Sequence, residues 1–225
     1  MQDTSTNLTA TLERIAILGA GSLGSRLGSL LRRAGHHVVY GARGEPGRRP
    51  QHDPDGFIDE PASAVQGRSI VILATPFQDA EGGATVELVA SLAAQALLDD
   101  VILVDATNPV DARWAPIPLP SSGATLIARA APRAHVVKGF NTIFADMMTP
   151  ETLHIGGVQI SAFIAGDDLD ARRRVLALAS TAGFAPVDAG PLVNARWLEA
   201  MAHLNIQLAV PLGGGTRAAF AYVRP

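Results

Sequence analysis

Three glycines, at positions 19, 21 and 24, have the spacing in this 225-residue chain that points most directly to chemistry. They stand in the run Gly19-Ala20-Gly21-Ser22-Leu23-Gly24. Such a run means little alone, but between a strand and a helix each glycine has a task. Gly19 permits a tight turn, Gly21 lets backbone amides approach a pyrophosphate, and Gly24 lets the helix pack closely on the strand. The first helical turn then offers unpaired N–H groups and partial positive charge to an anion. The bland alternative is a glycine-rich turn without a ligand.

The second position of interest lies about 20 residues on, where an NAD site places an acid against the ribose 2′-hydroxyl. This chain has Tyr40-Gly41-Ala42-Arg43 there, and its next acid is Glu45. Arg43 carries a planar, permanently charged fork suited to a phosphate, and Arg48 and Arg49 follow it. The missing acid and the added base both favour NADP(H) over NAD; three solvated loop arginines are the alternative.

Ala74-Thr75-Pro76-Phe77 and Asn108-Pro109 end two apolar runs that read as parallel strands. Ligands of open α/β sheets bind outside the carboxyl ends of strands, which puts Ala74, Thr75, Pro76 and Asn108 in line for the ribose and nicotinamide. Ordinary turn chemistry explains the same residues. The six histidines show no metal-ligand spacing, and the chain has no cysteine, so neither a metal site nor a thiol nucleophile is expected. His203 has Asn205 nearby and could face a cleft, although a lone histidine is more often a satisfied structural residue. No nucleophile-elbow motif supports a Ser-His-Asp triad. Gly213-Gly214-Gly215 reads as a linker after a helix.

The elements that would position these residues follow from hydrophobic periodicity. Arg14–Leu18 reads as a buried strand, Ser22–Ala34 as a helix capped by Gly35, and His37–Tyr40 as a second strand. Further strands are expected at 69–74, 101–105 and 135–137, with helices at 61–66, 84–98 and 124–131. This alternation predicts an α/β, Rossmann-type, doubly wound parallel sheet. After residue 145 the rhythm changes. Strands at 159–165 and 184–188, with helices at 168–182 and 192–210, suggest a smaller C-terminal α/β unit. The expected divisions are a disordered tail at 1–13, a nucleotide-binding domain at 14–145 and a small domain at 146–225.

Composition narrows the classes further. With 18 basic and 21 acidic residues the net charge is −3, which gives no electrostatic case for nucleic acid. No stretch of about 18 apolar residues suggests a membrane span, and residues 1–13 lack the pattern of a signal peptide. A cytoplasmic protein is the expectation.

The glycine turn, Gly41-Ala42-Arg43 and Thr75-Pro76-Phe77 resemble NADPH-dependent reductases of the deazaflavin coenzyme F(420). More specific matches are Val136-Val137-Lys138-Gly139-Phe140-Asn141-Thr142, Ala165-Gly166-Asp167-Asp168 and Val187-Asp188-Ala189-Gly190-Pro191-Leu192, followed by Ala195-Arg196-Trp197-Leu198-Glu199. The resemblance covers nearly the whole chain after residue 13. It implies a Rossmann domain with the hydride acceptor in the cleft beside it, and a homodimer. It also implies that Ala20 to Leu23 touch the pyrophosphate and Arg43 the 2′-phosphate. Ile143 and Ala145 would lie near the nicotinamide, with Asn141, Thr142, His203 and Ile206 toward the acceptor. Ala42 departs from the family, whose Ser or Asn there helps to hold the phosphate, so the NADP preference should be weaker. The 136–142 stretch also resembles the cytosolic domain of membrane ferric reductases, which pass electrons through a flavin.

The expected activity is hydride transfer between NADP(H) and a planar small-molecule acceptor, coenzyme F(420) first and a flavin second. In such reactions the cofactors carry the chemistry and the protein sets geometry, so no catalytic acid is required. A hydroxyacid dehydrogenase would need a lysine in its C-terminal helices, whereas the sole lysine is Lys138. A non-enzymatic NADP sensor is the rival from another class.

Overall fold

The computed structural model describes residues 11–44, 46–77, 79–80 and 82–224, so Glu45 and most of the expected tail lie outside the described residues. Glu13, placed in that tail by sequence, is instead buried. The first βαβ unit consists of β1 (Arg14–Leu18), α1 (Ser22–Arg33) and β2 (His37–Gly41). A two-residue β3 (Ile58–Asp59), α2 (Pro61–Val65), β4 (Ile70–Leu73), α3 (Gly83–Ala94), β5 (Ile102–Asp105), α4 (Gly123–Ala130) and β6 (His135–Lys138) follow. Next come the hairpin β7 (His154–Ile155) and β8 (Val158–Gln159), then β9 (Ser161–Gly166), α5 (Leu169–Thr181), β10 (Ala185–Asp188) and α6 (Ala195–Ala209).

The main sheet has the order β10-β9-β6-β5-β4-β1-β2-β3. Pairing is parallel from β3 to β6, as the βαβ rhythm predicts. Two-residue alternation splits β1 between the faces. Ile15 and Ile17 pack with Leu27 and Leu31 of α1 and Val175 of α5, whereas Ala16 and Leu18 pack with Val89 of α3 and Ile127 of α4. The sheet is therefore apolar on both faces, which accounts for the near-continuous hydrophobic strands.

The residues after 145 do not make a separate sheet. β9 joins the edge of β6 in antiparallel register, Val137 opposite Gly166, and β10 pairs with β9 in parallel. Periodicity identifies a strand but not its direction, so this reversal was not legible beforehand. The helix expected from 192 begins as a 3-10 turn, Leu192–Asn194, before α6. Among the described residues no helix is long and apolar enough to cross a membrane.

Candidate nucleotide and acceptor site

The glycine turn is bare because of its packing. Gly19 adopts φ +110, and a Cβ there would lie 2.5 Å from the Ala74 carbonyl oxygen. A Cβ on Gly24 would lie 2.1 Å from the Gly19 oxygen, so this position must be glycine for α1 to meet the turn. Gly21 differs: its Cβ would meet nothing within 4 Å. As the N-cap of α1, Gly21 provides no side-chain bond to the first turn, which also lacks an acid. By contrast, α4 and α5 are capped by Ser122 and Asp168. Open space at Gly21 and uncapped amides behind it fit the diphosphate of a dinucleotide.

Around the end of β2, Gly19 N–H donates to the Gly41 oxygen at 2.9 Å and Ala42 N–H to Asp59 at 3.0 Å. Arg43 is exposed and makes no ion pair among the described residues, which leaves its fork available. Arg49 is engaged with the Pro54 carbonyl. The loop that carries these arginines is anchored by buried Asp53, which accepts from Tyr40 at 2.6 Å and from Arg32 at 3.1 Å. Burial is the main cause that raises the Tyr40 pKa, so this hydroxyl remains a donor. The sequence reading missed Asp59, which the β2–β3 pairing sets beside Gly41 and whose carboxylate accepts the Glu60 N–H.

Thr75 lies at the end of β4, where its hydroxyl pairs with Thr85 at 2.7 Å; Thr85 in turn donates to the Pro76 carbonyl. Asn108 follows β5 and Asn141 follows β6. Each donates to the other residue, Asn108 to the Asn141 carbonyl at 2.7 Å and Asn141 to the Asn108 side-chain oxygen at 2.9 Å. Asn141 also donates to Leu198 of α6, while its own Oδ1 is buried without a hydrogen-bond partner.

These elements surround a cavity of about 340 Å³. Ser22 and Leu23 of the glycine turn, Asn108, the 141–146 segment, and Ala202, Asn205 and Ile206 of α6 line it. Of the residues expected near the nicotinamide and acceptor, Asn141, Thr142, Ile143, Ala145 and Ile206 are brought together here. His203 is not among the lining residues. Its Nε2–H donates to the Pro109 carbonyl at 3.1 Å, and burial lowers its pKa, so the imidazole tethers α6 to the loop after β5. Sequence reasoning missed Trp114, Ala202, Asp146 and Thr216 as lining residues. Trp114 sits in the Pro-rich stretch after the fifth strand, and that location at a strand's carboxyl end was the available signal.

The segment after β6 is positioned by a buried ionic cluster that sequence also missed. Lys138 is fully buried and reaches Asp105 at 2.8 Å, Glu199 at 2.9 Å and the Thr107 carbonyl at 2.7 Å. All three ammonium donors are thus used. Burial opposes the charge, but the two carboxylates outweigh it and raise the Lys138 pKa. Glu199 additionally accepts the N–H groups of Gly123 and Ala124 at the start of α4. The lysine therefore fastens α6 to the sheet.

With this geometry, residues 14–109 match the family described as NADP oxidoreductase, coenzyme F(420)-dependent. It is a family of NADP-dependent oxidoreductases, the enzyme class expected from the glycine turn and Arg43. A crystal structure of a candidate F(420)-dependent NADP-reductase from Arthrobacter sp. FB24 is 29% identical with a TM-score of 0.77, covering 94% of this chain and 100% of that one. A hypothetical protein from Sinorhizobium meliloti is 25% identical with a TM-score of 0.67, covering 94% and 95% of the two chains. Metalloreductase STEAP3 of Rattus norvegicus is 31% identical over 191 residues, 84% of this chain but 36% of that protein. The chain thus spans about a third of the length of the metalloreductases it matches.

Proposed function

We propose that this protein transfers a hydride between NADP(H) and a planar acceptor, with the deazaflavin F(420) as the first candidate. The observation that carries this reading is that Ser22 and Leu23 belong to both the open glycine turn and the cavity wall. A dinucleotide with its diphosphate at Gly21 and its 2′-phosphate near Arg43 then directs its nicotinamide end toward Asn141 and Ala145. The unpartnered Asn141 oxygen offers an acceptor for a carboxamide N–H. Bound NADPH supplies the hydride; the protein's residues hold two rings face to face with reacting carbons about 3–3.5 Å apart.

A second reading, a flavin- or ferric-type reductase, is favoured by the 31% identity to the metalloreductase. NADPH oxidation followed by absorbance with F(420), FMN and a ferric chelate separates the two. Turnover with none of them, despite NADPH binding, would leave the sensor. Homodimer formation and a cytoplasmic location remain part of the proposal. Light scattering at micromolar protein should give twice the chain mass, and a monomer mass would remove the dimer.

A further inference from the structure

We propose that Trp114 is the stacking platform for the acceptor ring, and hence that this cavity selects a flat heteroaromatic co-substrate. The inference rests on the reductase reading above and adds the residue that recognises the second ring.

Two independent features single out this tryptophan. It lines the same cavity as the glycine turn, yet 49% of its surface is exposed. Its backbone also adopts φ +66, a region that bulky side chains rarely enter and that a turn normally fills with glycine or asparagine. The strained position is held in place from several sides. Asp111 Oδ1 accepts the N–H groups of Arg113 at 2.8 Å and Ala115 at 2.9 Å. Trp114 N–H donates to the Asp111 carbonyl at 3.0 Å, and Asp111 N–H to that of Ala115 at 2.9 Å. A bridge from Val110 to Pro116 closes the base of the turn. The backbone beneath a large, half-exposed ring is thereby fixed in a conformation where glycine would fit the fold better. Strain of this kind is retained where the surroundings over-determine it, commonly at ligand clamps.

The chemistry of the cavity indicates what the ring would meet. Leu23, Ile143, Ala202 and Ile206 supply aliphatic walls, and Asn108, Asn141 and Asn205 supply edge hydrogen bonds. An exposed indole beside such walls gains most by covering its face with another π-system, in the offset stack that aromatic pairs prefer. A nicotinamide lying toward Asn141 leaves the indole for the acceptor.

The test uses the full chain loaded with NADP⁺ and FMN or F(420) as the probe. The chain holds two tryptophans, so a Trp197→Phe background leaves Trp114 as the sole indole reporter. Saturable quenching of its emission by either probe is expected. Trp114→Ala and Trp114→Gly should each raise the probe Kd and the acceptor KM at least tenfold, with the NADPH Kd within twofold. Trp114→Phe should stay within threefold. Trp114→Gly should also raise Tm, because it relieves the backbone; a merely structural tryptophan would not combine greater stability with weaker binding. Unchanged acceptor constants in the Ala and Gly variants, equal loss for NADPH and acceptor, or no probe binding to the NADP⁺-loaded wild type would each overturn the proposal. Absence of NADPH binding in the wild type would instead remove the reductase reading beneath it.

Discussion

Gly21 and Gly24 are both glycines of one motif, yet the structure gives them opposite sensitivities. A methyl group on Gly24 collides with the Gly19 carbonyl, so Gly24→Ala should destabilise the protein by about 1–3 kcal/mol, as overpacking does. A methyl group on Gly21 meets no protein atom and its φ of −70 suits alanine, so Gly21→Ala should leave stability within about 0.5 kcal/mol. It should nonetheless weaken NADPH at least tenfold, because the methyl would occupy the space left for the diphosphate. Chemical denaturation and calorimetric titration of the two variants check this contrast. Intact NADPH affinity in Gly21→Ala would mean that the turn does not hold the nucleotide. Arg43→Ala should weaken NADPH about tenfold, roughly 1.4 kcal/mol, and leave NADH nearly unchanged. Equal loss for both nucleotides would exclude Arg43 as the 2′-phosphate ligand.

At the level of elements, the site depends on how α6 meets the sheet. Periodicity made α6 visible as a helix and a family resemblance singled out the 136–142 run, but neither revealed that Lys138 and Glu199 meet. The contact joins residues 61 positions apart, and only folding brings them together. Lys138→Met keeps the volume but strands the Asp105 and Glu199 carboxylates in the interior, which should destabilise the protein by about 3–5 kcal/mol. A companion Lys138→Met, Asp105→Leu, Glu199→Gln variant should recover much of that loss. Urea denaturation measures both, and a stability loss below about 1 kcal/mol in the single variant would argue against a close buried pair. The His203–Pro109 bond makes a second tether of the same helix, so the ring expected beside the acceptor serves to position its neighbours.

At the level of the molecule, the start of β1 is clasped to α5 on the far side of the chain. Glu13 accepts from Arg174 at 3.0 and 2.8 Å and from Ser69 at 2.7 Å, while its N–H donates to His36 Nδ1 at 3.1 Å. Burial raises the Glu13 pKa, but the bonds from Arg174 and Ser69 outweigh it and leave the carboxyl below its usual range. Burial lowers the His36 pKa against the weaker opposing pull of Glu13. Both shifts have the same consequence in acid, because the unfolded chain binds protons that the folded one resists. The His36 contribution is present above its unfolded value of 6.5 and is lost as pH falls below it. That of Glu13 is present above its unfolded value of 4.5 and is lost as pH falls through the lower folded value. Urea midpoints should therefore drop from pH 7.5 to 5.5, and His36→Gln should flatten that slope. An unchanged slope would remove His36 as its source.

The sequence alone determined the local part of this protein: the glycine turn, the missing acid after the second strand, the βαβ rhythm and the apolar strands. Each rests on neighbours in the chain or on a fixed period, and such signals survive without a fold. Tertiary structure alone decided that β9 runs against β6, that Lys138 locks α6 to the sheet, and that Trp114 stands at the cavity instead of His203. Those facts depend on strand direction and on contacts between distant residues, which neither composition nor periodicity encodes.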